Sequence, residues 1–424
     1  MRADRHTGAA RLAAVLMLLS SGATQARAQA EILVSPEGPV TRIADAVRLA
    51  NPGDRIRVAA GVYREPTIRI DKALTLVGDG WPVIDGEGAR ELLHITADDV
   101  SVRGLVFRNV GVSFREDRAA VRVTEAARCE IDGNRFTEAF FGIYLAKARD
   151  CRITNNVLRG TRASQTFSAN GIHLWYSSGV TIADNEVAGH RDGIYLEFSH
   201  RITVERNRST GNRRYGLHFM YSDDCAYRHN EFSGNDAGVA VMFAARVDIS
   251  DNVFSASRGG ATYGLLLKDI TDARLVGNVF TDNTTALLMD NTTRLHAQRN
   301  RFERNGWAVR LGASAQETRF ERNIFIGNTF DVATNSSRTA ATFSGNYWDR
   351  YAGYDLDRDG VGDVPHRPVR LFAVIADRFE PAIVLLNSLF VHLLDTAERI
   401  FPSLTPSTLM DAQPAVRPAA ERAE

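Results

Sequence analysis

The chain has 424 residues, 44% apolar and 24% charged, with 51 basic residues balanced by 51 acidic ones. That apolar content excludes a disordered chain. A net charge of zero, with arginines interspersed among acids, excludes a nucleic-acid binder, which needs a concentrated basic stripe.

Residues 1–30 read as a secretory signal peptide. Arg2, Arg5 and Arg11 precede the apolar run 12–19, and Ala26-Arg27-Ala28 or Ala28-Gln29-Ala30 offers a small-residue cleavage site. A run of eight apolar residues is too short to span a bilayer, so the mature chain is expected in the periplasm. Residues 31–53 predict a strand and a cap helix, since 39–50 has helical spacing. Such a helix would plug the open end of a stacked-strand fold. Segments 56–58, 68–70, 74–77 and 83–84 read as irregular early coils.

Residues 54–350 carry a repeat. Asparagine recurs about every 22 residues, at Asn109, Asn134, Asn156, Asn185, Asn207, Asn230, Asn252, Asn278, Asn300, Asn323 and Asn346. Gly142, Gly171, Gly193, Gly216, Gly238 and Gly264 each lie 14 residues before one of them, and Ala286 continues the rule. After each glycine comes an apolar-x-apolar step, such as Ile143 and Leu145, which means a strand with those residues inward. A short period with strand patterning and no helical segment predicts an all-β fold, a right-handed parallel β-helix of the pectin-lyase-like kind. Stacked asparagines fit it, because side chains about 4.8 Å apart bond amide to amide.

This phase sorts outward side chains into columns. The second position after the glycine reads Tyr144, His173, Tyr195, His218, Ala240, Leu266, Leu288, and the fourth reads Ala146, Trp175, Glu197, Met220, Met242, Lys268, Asp290. One outer face thus gathers His173, His218, Met220 and Met242. An imidazole with two thioethers is a soft donor set that suits Cu(I). The same residues would equally suit a strand covered by a loop or a partner. Tyr176, Phe198, Tyr221 and Phe243 at the fifth position read as a corner stack. Cys129, Cys151 and Cys225 share one inward column, which reads as core packing. Cys129 and Cys151 fall on adjacent coils within disulfide reach. For a carbohydrate-active β-helix the best carboxylate pairs are Asp223 with Asp224 and Asp98 with Asp99.

Residues 351–370 form an Asp/Gly-rich loop whose Asp355, Asp357 and Asp359 resemble the start of a calcium loop, although no glutamate stands at the twelfth position that closes such a loop. The other reading is a turn held by side-chain to backbone bonds. Residues 371–404 predict a helical segment, interrupted by Asn387, His392, Asp395 and Glu398 and so not membrane-spanning, which either caps the solenoid or docks on a membrane protein or lipid surface. Residues 405–424 read as a flexible tail.

The coil from Gly216 to Asp223, the Gly-Ile-Tyr-Leu coils and the run from Gly345 to Asp363 (GNYWDRYAGYDLDRDGVGD) resemble the NosD family of nitrous oxide reductase maturation proteins. The resemblance implies a non-catalytic periplasmic accessory to assembly of the reductase's copper sites. The implied partners are an ABC transporter of NosF ATPase and NosY permease, the copper chaperone NosL, and the reductase itself. It favours transient Cu(I) at His218, Met220 and Met242, and a peripheral membrane contact through the C-terminal helix. The alternative is a polysaccharide-binding or polysaccharide-modifying β-helix.

Overall fold

The computed structural model describes residues 29–401 and 409–418, apart from 114, 161–167, 260–261, 313 and 336–339. The signal peptide therefore lies outside the described residues except for its last two. Short strands stack in register from coil to coil, as in the series Ile143↔Ile172, Ile172↔Ile194, Ile194↔Leu217 and Leu217↔Val239. One ladder of thirteen parallel strands stands alone, and the other two join where Ala237–Ser250, Leu265–Val276 and Thr285–Gln298 each run through a corner as one strand. The fold is the expected parallel β-helix of about thirteen turns.

The glycine marker exists because adjacent coils nearly touch there. A Cβ on Gly142 would lie 2.5 Å from the carbonyl oxygen of Gly171, and one on Gly238 would lie 2.1 Å from that of Gly264. Inward residues of the steps after the glycine, Ile143, Leu145, Leu217 and Val241 among them, are fully buried.

The asparagine ladder runs from Asn134 to Asn346. Each Oδ1 accepts the backbone N–H of the asparagine one coil earlier, as Asn230 does from Asn207 at 2.9 Å. Each Nδ2 also bonds a carbonyl of the preceding coil, as Asn230 does to Val204 at 2.8 Å. Asn109 is not part of it. It follows the strand Val106–Arg108 on another corner and bonds Asp85 at 2.9 Å, while Leu105 holds the ladder position and donates its N–H to Asn134. A second ladder, which the sequence reading missed, stands five residues later. It links His190, Asn212 and Asn235, and then Ser257, Asn283, Asn305 and Asn328. Between the two ladders Phe232, Phe254, Phe280, Phe302, Phe325 and Trp348 stack in the core, with the Phe280 and Phe302 centroids 4.9 Å apart.

Both ends are capped. Helix α1 (Ile43–Leu49) buries Ile43, Ala46 and Val47, and Glu65 from a neighbouring coil accepts the N–H groups of Ile43 and Ala44 at 2.7 and 3.0 Å. At the other end residues 409–418 of the expected flexible tail are packed against the last coil. Asp411 is fully buried and takes the last ladder position, accepting from Asn346 N–H and Nδ2 and from Trp348 Nε1. A carboxylate only accepts, so the ladder ends without an orphaned donor. The expected single helix is two, α2 (Leu371–Arg378) and α3 (Leu389–Ile400), separated by a 3-10 turn that starts at Glu380-Pro381. Proline breaks the helix because it lacks the N–H. Helix α2 lies on the last coils, where Trp307, Phe330 and Phe372 pack together and Arg310 bonds Asp377 at 2.7 Å.

Asn230→Ala removes the acceptor of the buried Asn207 N–H and three further bonds, and should cost roughly 2–4 kcal/mol in denaturant unfolding, against less than about 1 for Asn109→Ala. Equal costs would contradict the assignment of the ladder. A second test concerns His190, whose ring is fully buried and whose pKa burial pushes down to about 4, with only the Ala169 backbone opposing the shift. A base with a depressed folded pKa gives stability that is full above the unfolded value and is lost as pH falls from about 6.5 towards 4. His190→Leu should flatten that part of the stability curve by up to about 3 kcal/mol. An unchanged acid slope would refute it.

Candidate functional site

Strand register confirms both outward columns. Tyr144, His173, Tyr195, His218 and Ala240 pair in sequence, as do Trp175, Glu197, Met220, Met242 and Lys268. Met220 and Met242 are direct neighbours, both half-buried, so their Cα atoms are about 5 Å apart. His218 lies on the strand of Met220, two residues before it. Their column places the thioethers between Glu197 on one side and Lys268 on the other, and Lys268 pairs with Asp290 at 3.6 Å.

The face is not the open surface expected from alternation alone. Phe140, Phe141, Ser113, Ser168 and Ala169 rise from the loops before the strands and wall a cavity of about 500 Å³ over the His173 to Met220 stretch. His173 is 9% exposed and His218 6%. At the far end α2 covers the same face, leaving Met220, Met242 and Lys268 in a window between two lids. Sequence period cannot place these lids, because they come from insertions and from the chain's return.

His173 separates from the cluster. Tyr195 stands between it and His218, with ring centroids 4.8 Å from His173 and 4.9 Å from His218, so the two imidazoles cannot share one ion. Its tautomer is also fixed against ligation through Nε2. Arg191 can only donate, and it donates to Asn170 Oδ1 at 3.2 Å, which turns Asn170 Nδ2 towards His173 Nδ1 at 3.3 Å. Nδ1 thus accepts and Nε2 carries the proton. Burial, with Arg191 adding to it, pushes this imidazole down to about 3.

His218 is set differently. Its Nδ1 lies 3.3 Å from the Arg214 Nη2 donor and 3.6 Å from Asp192 Oδ2, an ion-pair contact longer than a hydrogen bond. When the proton sits on Nδ1, facing Asp192, the Nε2 lone pair is free, and Nε2 has no partner among the described residues. A carboxylate behind an imidazole is the usual support of a ligating histidine. Asp192 is itself fully buried. Burial opposes its ionisation, but Arg214 and His218 hold its carboxyl below the usual range. The Tyr195 hydroxyl donates to Met220 Sδ at 3.9 Å. Asp192, Arg214, Tyr195 and Glu197 were not singled out from sequence. Glu197 stood in the column as read, whereas Asp192 and Arg214 precede the marker glycines and carry no periodic signal.

The other candidates resolve clearly. Tyr176, Phe198, Tyr221 and Phe243 form the expected corner stack, at centroid spacings of 4.8, 5.0 and 4.9 Å. Cys129, Cys151 and Cys225 are buried free thiols, and Cys129 N–H points to Cys151 Sγ at 3.4 Å. The carboxylate pairs are consumed in links between coils. Asp224 meets Arg246 Nε at 2.6 Å and Asp99 meets Arg128 Nε at 2.7 Å, and these bonds lower both acids. Oxygens of Asp355, Asp357 and Asp359 converge to within 4.8 Å of one another, while Gly360, Asp359 and Val361 N–H groups bond three carboxylate oxygens as in the turn reading.

Residues 161–353 match the family model described as "Periplasmic copper-binding protein (NosD)". A Pseudomonas aeruginosa protein named "Probable ABC transporter binding protein NosD" is 33% identical over 99% of this chain and 99% of its own. The chain belongs to the NosD family. A relative of the same name from Stutzerimonas stutzeri is 29% identical, over 95% of this chain and 93% of its own. Both NosD relatives are named as binding proteins, not as enzymes. Among solved structures, the catalytic unit of a Streptomyces thermodiastaticus α-1,3-glucanase aligns with TM-score 0.58 at 15% identity, covering 72% of this chain and 65% of that one. The Dettilon tailspike aligns with TM-score 0.56 at 15% identity, covering 74% and 68%. These likenesses show the β-helix fold alone.

Proposed function

We propose that this NosD-family chain is a periplasmic, non-catalytic copper-handling protein that holds Cu(I) in transit at Met220, Met242 and His218 for maturation of nitrous oxide reductase. The observation that carries the reading is the in-register Met220 and Met242 pair beside an imidazole whose Nε2 has no partner among the described residues. Thioether ligands bind Cu(I) softly, and a half-buried pair leaves room for a partner's donor during handover. The family model's description as copper-binding supports it. The engagement of Asp98, Asp99, Asp223 and Asp224 in ion pairs removes the support for the polysaccharide-modifying alternative.

The transporter is the partner we assign to the C-terminal helices. No helix among the described residues is long and apolar enough to cross a membrane. Yet Val384, Leu389, Leu393, Ile400 and Phe401 are exposed, a patch that suits the outer surface of a permease such as NosY, with NosF behind it. NosL would supply the copper through the window between the lids, and the reductase would receive it. The relatives' printed name, ABC transporter binding protein, supports the first of these contacts.

We also read the Asp355, Asp357 and Asp359 loop as a weak calcium site. In addition to the convergence, Asp355 Oδ1 is buried without a partner. Millimolar calcium should raise the unfolding temperature of the parent and leave an Asp357→Asn, Asp359→Asn variant unmoved. No shift in the parent would refute the site.

Copper is tested by Cu(I) titration of residues 31–424 against a competing chromophoric chelator. One ion should bind the parent, Met220→Ala with Met242→Ala should weaken it at least about 100-fold, and Asp192→Asn about 10-fold through His218. His173→Phe should leave affinity unchanged. Stoichiometric binding that survives loss of both methionines would overturn the site.

A further inference from the structure

The cavity beside the methionine window is lined by residues whose donors have no acceptor among the described residues. His173 Nε2, which carries a proton because Nδ1 accepts from Asn170, is buried and unpartnered. Arg191 Nε is a donor in every protonation state, and it too is buried and unpartnered. Both residues line the same cavity of about 500 Å³. Arg191 spends one Nη2 bond on Asn170 and forms no ion pair among the described residues.

Two acids, Asp117 and Glu197, also line this cavity, and Asp192 adjoins it. Asp192 is taken by Arg214, Asp117 meets the Tyr144 hydroxyl, and Glu197 belongs to the methionine column. Leaving a buried donor unsatisfied costs roughly 1–3 kcal/mol, more when it is charged. Two such donors, one of them cationic, on residues that line one cavity make the arrangement that a bound anion relieves. Asn170, fully buried, orients both by bonding Arg191 with its oxygen and His173 with its nitrogen.

We propose that His173 and Arg191, held by Asn170, form a binding site for a small oxyanion, separate from the thioether site at the other end of the same face. Neutral His173 donates through Nε2–H and Arg191 supplies the charge. The two sites share a cavity but no residue, so variants separate them.

Calorimetric titration of the mature chain with inorganic phosphate, sulfate or acetate at fixed ionic strength tests this. The expected result is saturable one-site binding of at least one of these anions. Arg191→Met, which keeps the aliphatic stem, should weaken it at least about tenfold, and Met220→Ala with Met242→Ala should leave it unchanged. His173→Phe retains the ring packing against Tyr144 and Tyr195 but removes the donor, and it should weaken binding as well, which decides the matter if Arg191→Met fails to fold. No saturable binding of any of the three anions, or equal affinity in the parent and in folded Arg191→Met and His173→Phe, would mean that these donors face water alone and would overturn the site.

Discussion

Each coil of this protein must hand the same backbone path to the next, and the amide ladder from Asn134 to Asp411 enforces that path. A strand ladder alone fixes spacing but leaves the corners free. Here each corner is pinned, because the asparagine side chain closes a ring with the N–H of one coil and a carbonyl of that same coil. The residue just before it, such as Asp184, Arg206 or His229, adopts positive φ. The ladder also satisfies backbone groups that a buried corner would otherwise orphan. Its acceptor-only terminus at Asp411 ties the returning chain to the last coil and so closes the core.

Once corners are pinned, columns follow, and columns decide which side chains meet. Met220 and Met242 are neighbours only because the ladder allows no slip between their coils. A one-residue slip would send one thioether into the core and bring Phe219 or Phe243 beside the other. The functional face is therefore built by the rigid scaffold and tuned by its covers. The loops carrying Phe140, Phe141, Ser168 and Ala169 cover the histidine end, where the buried Asp192 carboxylate is held by the partly exposed Arg214, while the thioether end stays half open. A carrier that must release its ion benefits from this division. Orientation of His218 is fixed in the covered part and ligand exchange takes place at the open edge.

Much of this was legible in the chain. Period and phase gave the coil, the inward residues, the outward columns and the aromatic corner, because each depends only on which residue faces which direction. What failed did so for physical reasons. Asn109 has the right identity but the wrong phase, so it sits after a strand instead of before one. The second ladder was present as Asn-x4-Asn, in Asn207 to Asn212, Asn278 to Asn283, Asn300 to Asn305 and Asn323 to Asn328, and could have been found. His173 shares a column with His218, but distance along a column is measured in coils, and Tyr195 fills the coil between them. The packed tail could not be read from sequence, since Asp411 meets Asn346 across 65 residues and only the closed end creates the need for it.

The most direct test of the central claim is the copper K-edge X-ray absorption spectrum of the Cu(I)-loaded mature chain. The account predicts a low-coordinate Cu(I) with two sulfur scatterers and one imidazole nitrogen, from Met220, Met242 and His218. A first shell of nitrogen and oxygen alone would contradict it and would place the copper away from the thioether pair.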